Sequence, residues 1–130
     1  MNLLLDTCAV LWSVSAPDRL TETARNALES PENTVSVCAI SCAEIACGVD
    51  RGRIELDRHW KTWFRHYLDV NGWACLPIDQ PVMEEAYSLP APFHADPADR
   101  TIVAAARIHG MAVVTGDRRI LAYPHVEHCW

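Results

Sequence analysis

Seven consecutive residues, His94-Ala95-Asp96-Pro97-Ala98-Asp99-Arg100, bring together two carboxylates, an imidazole and a guanidinium. They stand before a helical run that continues to His109. Pro97 suits a first helical position, where its missing N–H costs nothing. Asp96 is then the N-cap and Asp99 the third helical residue. One reading of the pair is capping, with acids satisfying free N–H groups at the positive end of the helix dipole. The other is that the carboxylates hold a divalent metal. The local stretch does not decide between them. The answer depends on whether further acids are delivered to the same place.

The elements that position those acids follow from hydrophobic patterning. Asn2 to Leu5 is a short apolar run, as in a buried parallel strand, and it ends at Asp6-Thr7. A helix is expected over Cys8 to Ser13, capped by Thr7. A second is expected over Thr21 to Ser30, capped by Thr21. Thr34 to Ile40 is rich in β-branched residues and predicts the second strand. Ser41-Cys42-Ala43-Glu44 matches a capping box, which starts a helix there and runs it to about Val49, with Gly48 and Gly52 loosening its end. Over Asp57 to Asp69, Trp60, Trp63, Phe64, Tyr67 and Leu68 fall on one helical face. Arg58, His59, Lys61, Arg65 and His66 cover the rest. Such a stripe reads as core or subunit interface, with base stacking as the alternative. Trp73 to Ile78 predicts a third strand, and Pro81 opens a helix through Tyr87. Asp79 looks like its cap. Pro97 to His109 is a helix closed by Gly110. Met111 to Thr115 predicts a fourth strand cut off by Gly116-Asp117. A short helix over Arg118 to Ala122 and an edge strand over His125 to Trp130 follow.

Strands alternating with helices mean a parallel sheet covered on both faces. With no repeat or linker, residues 1–130 are expected to form one domain. In such a sheet, strand C-termini and the N-termini of the following helices share one edge. Asp6, Glu44, Asp99 and Asp117 therefore converge there. Several close carboxylates repel, so some must take up protons or gain a cation. A cluster of hard oxygen ligands is what Mg²⁺ or Mn²⁺ requires, and such a site can generate hydroxide and stabilise charge on an attacked phosphodiester. An aspartyl-phosphate phosphatase typically has a second aspartate two residues after the first, where this chain has Cys8. A receiver domain needs a lysine after a late strand, and the only lysine is Lys61. A metal-dependent nuclease needs no nucleophilic side chain and fits best.

Half of the residues are hydrophobic and 22% are charged, which suits a globular core. A net charge of −6 argues against a purely electrostatic nucleic-acid binder. The six cysteines lie mostly in apolar runs with no Cys-x-x-Cys pair, and His125 and His128 lack thiolate partners, so neither disulfides nor structural zinc is expected. The first residues carry no basic leader pattern and no apolar run is long enough for a membrane span, so a reduced cytoplasmic protein is expected.

Four segments together resemble the PIN-domain ribonucleases of the VapC toxin type: Leu4-Leu5-Asp6-Thr7 with Leu11-Trp12; Ser41 with Glu44-Ile45-Ala46-Cys47-Gly48; His94 to Arg100; and Val114-Thr115-Gly116-Asp117. Ala98 departs from the bulky apolar residue usual in one branch, and the helix after Glu44 lacks a lysine that some relatives carry. The resemblance implies a three-layer α/β/α sandwich around a mostly parallel sheet of four to five strands. It implies Asp6, Glu44, Asp99 and Asp117 as metal-binding, catalytic acids, with Mg²⁺ or Mn²⁺ as cofactor. It also implies endonucleolytic cleavage of RNA, a homodimer, and a small antitoxin partner of the VapB kind. Thr7, Asp96 and Thr115 are expected to support the acids by hydrogen bonds. Arg100, Arg118 and Arg119 are expected to meet RNA phosphates or, alternatively, to bridge the surplus acids. A non-catalytic binding module on the same fold, and a metal-dependent phosphatase, are the competing readings.

Overall fold

A computed structural model describes all residues from Met1 to Trp130. Five strands form a single parallel sheet: β1 (Asn2–Leu5), β2 (Thr34–Cys38), β3 (Ala74–Leu76), β4 (Ala112–Val114) and β5 (His128–Cys129), in the order β3-β2-β1-β4-β5. The helices are α1 (Thr7–Ser15), α2 (Glu22–Glu29), α3 (Ala39–Asp50), α4 (Trp60–Asn71), α5 (Gln80–Ala86), α6 (Pro97–His109) and α7 (Arg118–Leu121). None is long and apolar enough to cross a membrane. All six cysteines are free thiols.

The pleat sorts the core into two. Leu3, Leu5, Val35, Val37, Ala112 and Val114 point to one face, where Ala9, Val10, Ala24, Ile45, Trp63 and Phe64 from α1 to α4 cover them. Leu4, Cys38 and Val113 point to the other, under Val82, Ala86, Ile102, Val103 and Ile120 from α5, α6 and α7. This gives the three expected layers, and it explains why β1 is apolar throughout: both its faces are buried. The aromatic stripe of α4 belongs to the first core. Trp63 and Phe64 are buried, and Trp60, Tyr67 and Leu68 pack against them.

Helix α6 runs over the predicted span. Asp96 caps it through Asp99 N–H at 3.0 Å, Pro97 is its first residue, and Gly110 closes it in the left-handed region. Asp79 caps α5 as expected. Three starts differ from expectation. Helix α4 begins at Trp60, capped by His59, and not at Asp57. Asp6, not Thr7, caps α1. The expected capping box at Ser41 does not form. α3 begins at Ala39, and the buried Ser41 hydroxyl is taken up by Thr7 Oγ1 at 2.9 Å, across 34 residues of chain.

The end of α3 is tight where loosening was expected. Arg51 N–H donates to Cys47 O, Gly52 N–H to Val49 O, and Arg53 N–H to Gly48 O at 2.8 Å. Gly52 takes φ +72°, so the chain hooks back in the manner of a Schellman turn. Ile54 then lies on Gly48, where a Cβ would come within 2.3 Å of Ile54 Cδ1.

Candidate metal centre

The strand order reverses direction between β1 and β4. The chain steps from β1 outward to β2 and β3, then returns to the other side of β1. In open parallel sheets, the crevice beyond the strand C-termini at such a reversal is where ligands bind. Here a cavity of about 860 Å³ opens at this place, and Asp6, Glu44, Asp96, Asp99 and Asp117 all line it. Asp6 follows β1 and Asp117 follows β4 by three residues. Glu44 comes from the second turn of α3, not the first as expected. Asp99 comes from the first turn of α6.

Asp6 is the deepest, at 6% exposure. Its Oδ1 accepts from Ala9 N–H at 2.8 Å and its Oδ2 from the Thr115 hydroxyl at 2.5 Å. No cation touches it. Burial pushes its pKa to about 6, against the lowering by Thr115 and Ala9 and helped by the fields of Asp99 and Asp117. Burial also raises Glu44, whose carboxylate accepts from Thr7 Oγ1, and Asp99. Asp99 Oδ2 receives His94 Nε2 at 2.7 Å and, more loosely, Arg119 Nη2 at 3.3 Å. Asp117 alone is lowered, because Arg119 donates to it from Nε, Nη2 and the backbone. The Cys8 thiol on the cavity wall registers the combined field. It is raised to about 11 by desolvation first and then by Asp6, Glu44, Asp99 and Asp117.

These contacts place the expected supporting residues. Thr7 holds Glu44, Thr115 holds Asp6, and Asp96 caps the backbone of Asp99. Thr115 does more, because its hydroxyl also accepts from Asp117 N–H at 3.0 Å and so ties the ends of β1 and β4 together. Thr115→Val keeps the shape and deletes both bonds. It is expected to lower the stability by about 1–3 kcal/mol, since a buried acceptor and an N–H lose their partner. The midpoint of urea unfolding measures this.

Of the arginines, Arg119 reaches the acids, so the bridging alternative describes it. Arg100 does not line the cavity. Its guanidinium donates to the carbonyls of Ala86, Phe93 and His94, closing the loop before α6. Arg118 is exposed but does not line the cavity. Two arginines that sequence reasoning did not single out do line it: Arg51 and Arg53, at the hooked end of α3. The signal for them was the Arg-Gly-Arg step after a helix with glycine inside its last turn.

The donor set suits a hard divalent cation. Five carboxylates line the cavity, one guanidinium is bound to two of them, and Asp6 and Glu44 have only neutral hydrogen-bond donors. As the side chains stand, no three acids, histidines or cysteines are gathered tightly enough to enclose an ion. The carboxylates are turned onto their threonine, histidine and arginine partners.

A family model for the PIN domain matches residues 3–126. Ribonuclease VapC22 of Mycobacterium tuberculosis is 34% identical over 124 residues, which cover 95% of this chain and 93% of that protein. Among solved structures, VapBC2 from Rickettsia felis, bound to a DNA fragment from its promoter, contains a chain that matches with a TM-score of 0.68 at 16% identity, covering 98% of this chain and 97% of that one. FitAcB from Neisseria gonorrhoeae matches with a TM-score of 0.60 at 24% identity, over 97% and 95%. At these identities the two structures speak for the fold.

Proposed function

The chain belongs to the PIN-domain family, and on that premise we propose that it is a metal-dependent endoribonuclease, the toxin of a toxin–antitoxin pair. Its substrate is RNA, and a small antitoxin of the VapB kind blocks it. It works as one domain spanning residues 1–130, as a homodimer and in the cytoplasm. The observation that carries the chemistry is the delivery of Asp6, Glu44, Asp99 and Asp117 from four elements to one cavity at the reversal of the sheet. The 34% identity to a ribonuclease over 95% of the chain supports the choice of substrate.

Asp6, Glu44 and Asp99 would hold Mg²⁺ or Mn²⁺, with Asp117 beside them for a second ion or for orienting the attacking water. An ion held by these carboxylates would supply Lewis-acid activation of the attacking water and neutralise charge at the phosphodiester. The chain's own residues prepare the site. Thr115 and the Ala9 N–H fix both oxygens of Asp6, so its carboxylate is oriented before substrate arrives. Thr7, itself bonded to Ser41, holds Glu44 from α3 against the end of β1. His94 on Oδ2 of Asp99 sets the rotamer of that acid.

The test is to map new RNA 5′ ends after incubating total RNA with the protein and Mg²⁺ or Mn²⁺, against a chelator control. Metal-dependent ends at defined positions support the reading, and RNA left intact with either ion refutes it. Arg119 acts as an internal counter-ion that a metal must displace from Asp99 and Asp117. Arg119→Ala is therefore expected to bind Mn²⁺ roughly three- to tenfold more tightly by calorimetry, the worth of one or two exposed ion pairs.

A further inference from the structure

Three arginines line the acidic cavity: Arg51, Arg53 and Arg119. Arg119 is bound to Asp99 and Asp117. Arg51 and Arg53 are exposed, and neither side chain makes an ion pair or a hydrogen bond, although the cavity they share holds five carboxylates. They are not loosely placed. The backbone N–H groups of Arg51, Gly52, Arg53 and Ile54 all return to carbonyls of α3, at 2.8–3.1 Å. Gly52 supplies the positive φ that the hook needs, and Ile54 plugs the space left by Gly48. The hook therefore presents two free guanidinium groups, one residue apart, from the same helix that supplies Glu44.

We propose that Arg51 and Arg53 form an anion-binding rim that grips the phosphates of single-stranded RNA flanking the one cleaved at the carboxylates. This rests on the nuclease reading above and gives it a phosphate contact at the cavity, which neither Arg100 nor Arg118 lines. It also answers a difficulty of charge. A chain of net charge −6 cannot attract RNA by its overall field, so the attraction must be local. Arginine suits the task, because its fork matches phosphate oxygens and stays charged at any working pH. The rim carries no sequence information, since backbone phosphates are the same for every base. Selection of the cleavage site then lies elsewhere in the cavity.

The test separates binding from cleavage. In an Asp6→Asn background, binding of a fluorescein-labelled single-stranded 12-nucleotide RNA is followed by anisotropy over a salt series. Arg51→Ala with Arg53→Ala is expected to weaken binding about tenfold near physiological salt. The slope of log K against log salt should become shallower by about 1.4, the share of two single-strand phosphate contacts. Arg51→Lys with Arg53→Lys should restore most of the slope, and Arg25→Ala, on α2 away from the cavity, should leave it unchanged. The same substitutions in the wild-type background should lower kcat/KM for the RNA. An unchanged affinity and slope in the alanine pair overturns the rim, even if the wild-type protein cleaves RNA with Mn²⁺. Loss of antitoxin binding in the alanine pair, with RNA affinity kept, also overturns it and makes the hook a protein-docking feature. RNA binding that follows the rim, without any metal-dependent cleavage by the wild type, upholds the rim and overturns the nuclease.

Discussion

Asp6→Asn is expected to abolish RNA cleavage, by about a thousandfold or more, while making the metal-free protein harder to unfold at neutral pH. The two effects have one cause. The Asp6 carboxylate is 6% exposed, no cation contacts it, and its pKa is displaced from 3.8 to about 6. Folding therefore takes up a proton between those values. The stability associated with this group is full below about pH 4 and is lost as the pH rises through about 6. Above that, the ionised carboxylate stands uncompensated at a cost of about 3 kcal/mol. Asn is neutral and keeps the cap on Ala9 N–H, but it turns the Thr115 contact into a poorer one, which takes back about 1 kcal/mol. A net gain of about 1–2 kcal/mol and a melting point higher by several degrees at pH 7 should remain. At pH 4 the gain should vanish, because the wild-type side chain is then neutral as well. Glu44 and Asp99 are raised too and shift in the same sense, whereas the stability from Asp117 is the kind lost on acidification.

Cleavage falls because the substituted amide is a weak ligand for a hard cation, and loss of several kcal/mol of transition-state stabilisation is a factor of ten for each 1.36. Adding Mn²⁺ should raise the melting point of the wild type by mass action and leave that of the variant nearly unchanged. A variant that is destabilised at pH 7 and equally active would refute both halves. On the proposed reading, the carboxylate that would hold the ion is also one that weakens the fold at neutral pH.

Trp63→Ala should do the reverse, with a heavy loss of stability and no direct effect on the chemistry. Trp63 is 1% exposed and belongs to the first core, its ring 5.1 Å from that of Tyr67. Truncating such a side chain leaves a large void and costs about 3–5 kcal/mol, against a total stability of about 5–15 kcal/mol. The melting point should fall on the order of 10 °C or more. Trp60→Ala, at a partly buried position on the rim of the same core, should cost clearly less. The pair also tests base stacking by this helix. If the stripe served RNA, Trp63→Ala would lower RNA affinity and spare the melting point.

The parts of the molecule that could be read in the sequence are those determined locally. Asp96, Pro97, the apolar face from Ile102 to Ala106 and Gly110 lie within α6, so its limits and caps could be predicted from those residues alone. The α4 stripe was legible for the same reason. Where a distant partner competes for a side chain, the local pattern misleads. Ser41 and Glu44 have the spacing of a capping box, but Thr7 takes both side chains and the helix starts three residues earlier, with Cys38 and not Ser41 at its N-cap. Arg100 sits beside Asp99 in sequence, yet three backbone carbonyls of the preceding loop hold its guanidinium. Arg51 and Arg53 carried only the faint signal of the Arg-Gly-Arg step, because it is the hook at Gly52 that brings them to the cavity. The acids themselves were legible because topology alone carries strand ends and helix starts to one edge, whatever the details of each cap.

The central place of β1 has a consequence for how the protein comes into being. β1 lies between β2 and β4, pairing Leu3 to Leu5 with Ala112 to Val114. Asp6 meets Thr115 over 109 residues of chain. During synthesis, at about 5–20 residues per second, the first strand waits several seconds for its second neighbour. Through that time Asp6 has no Thr115, and the cavity has no wall from β4. The acids are therefore not gathered into one cavity until the last strands are laid down, and on the proposed reading a growing chain has no complete site with which to cut RNA.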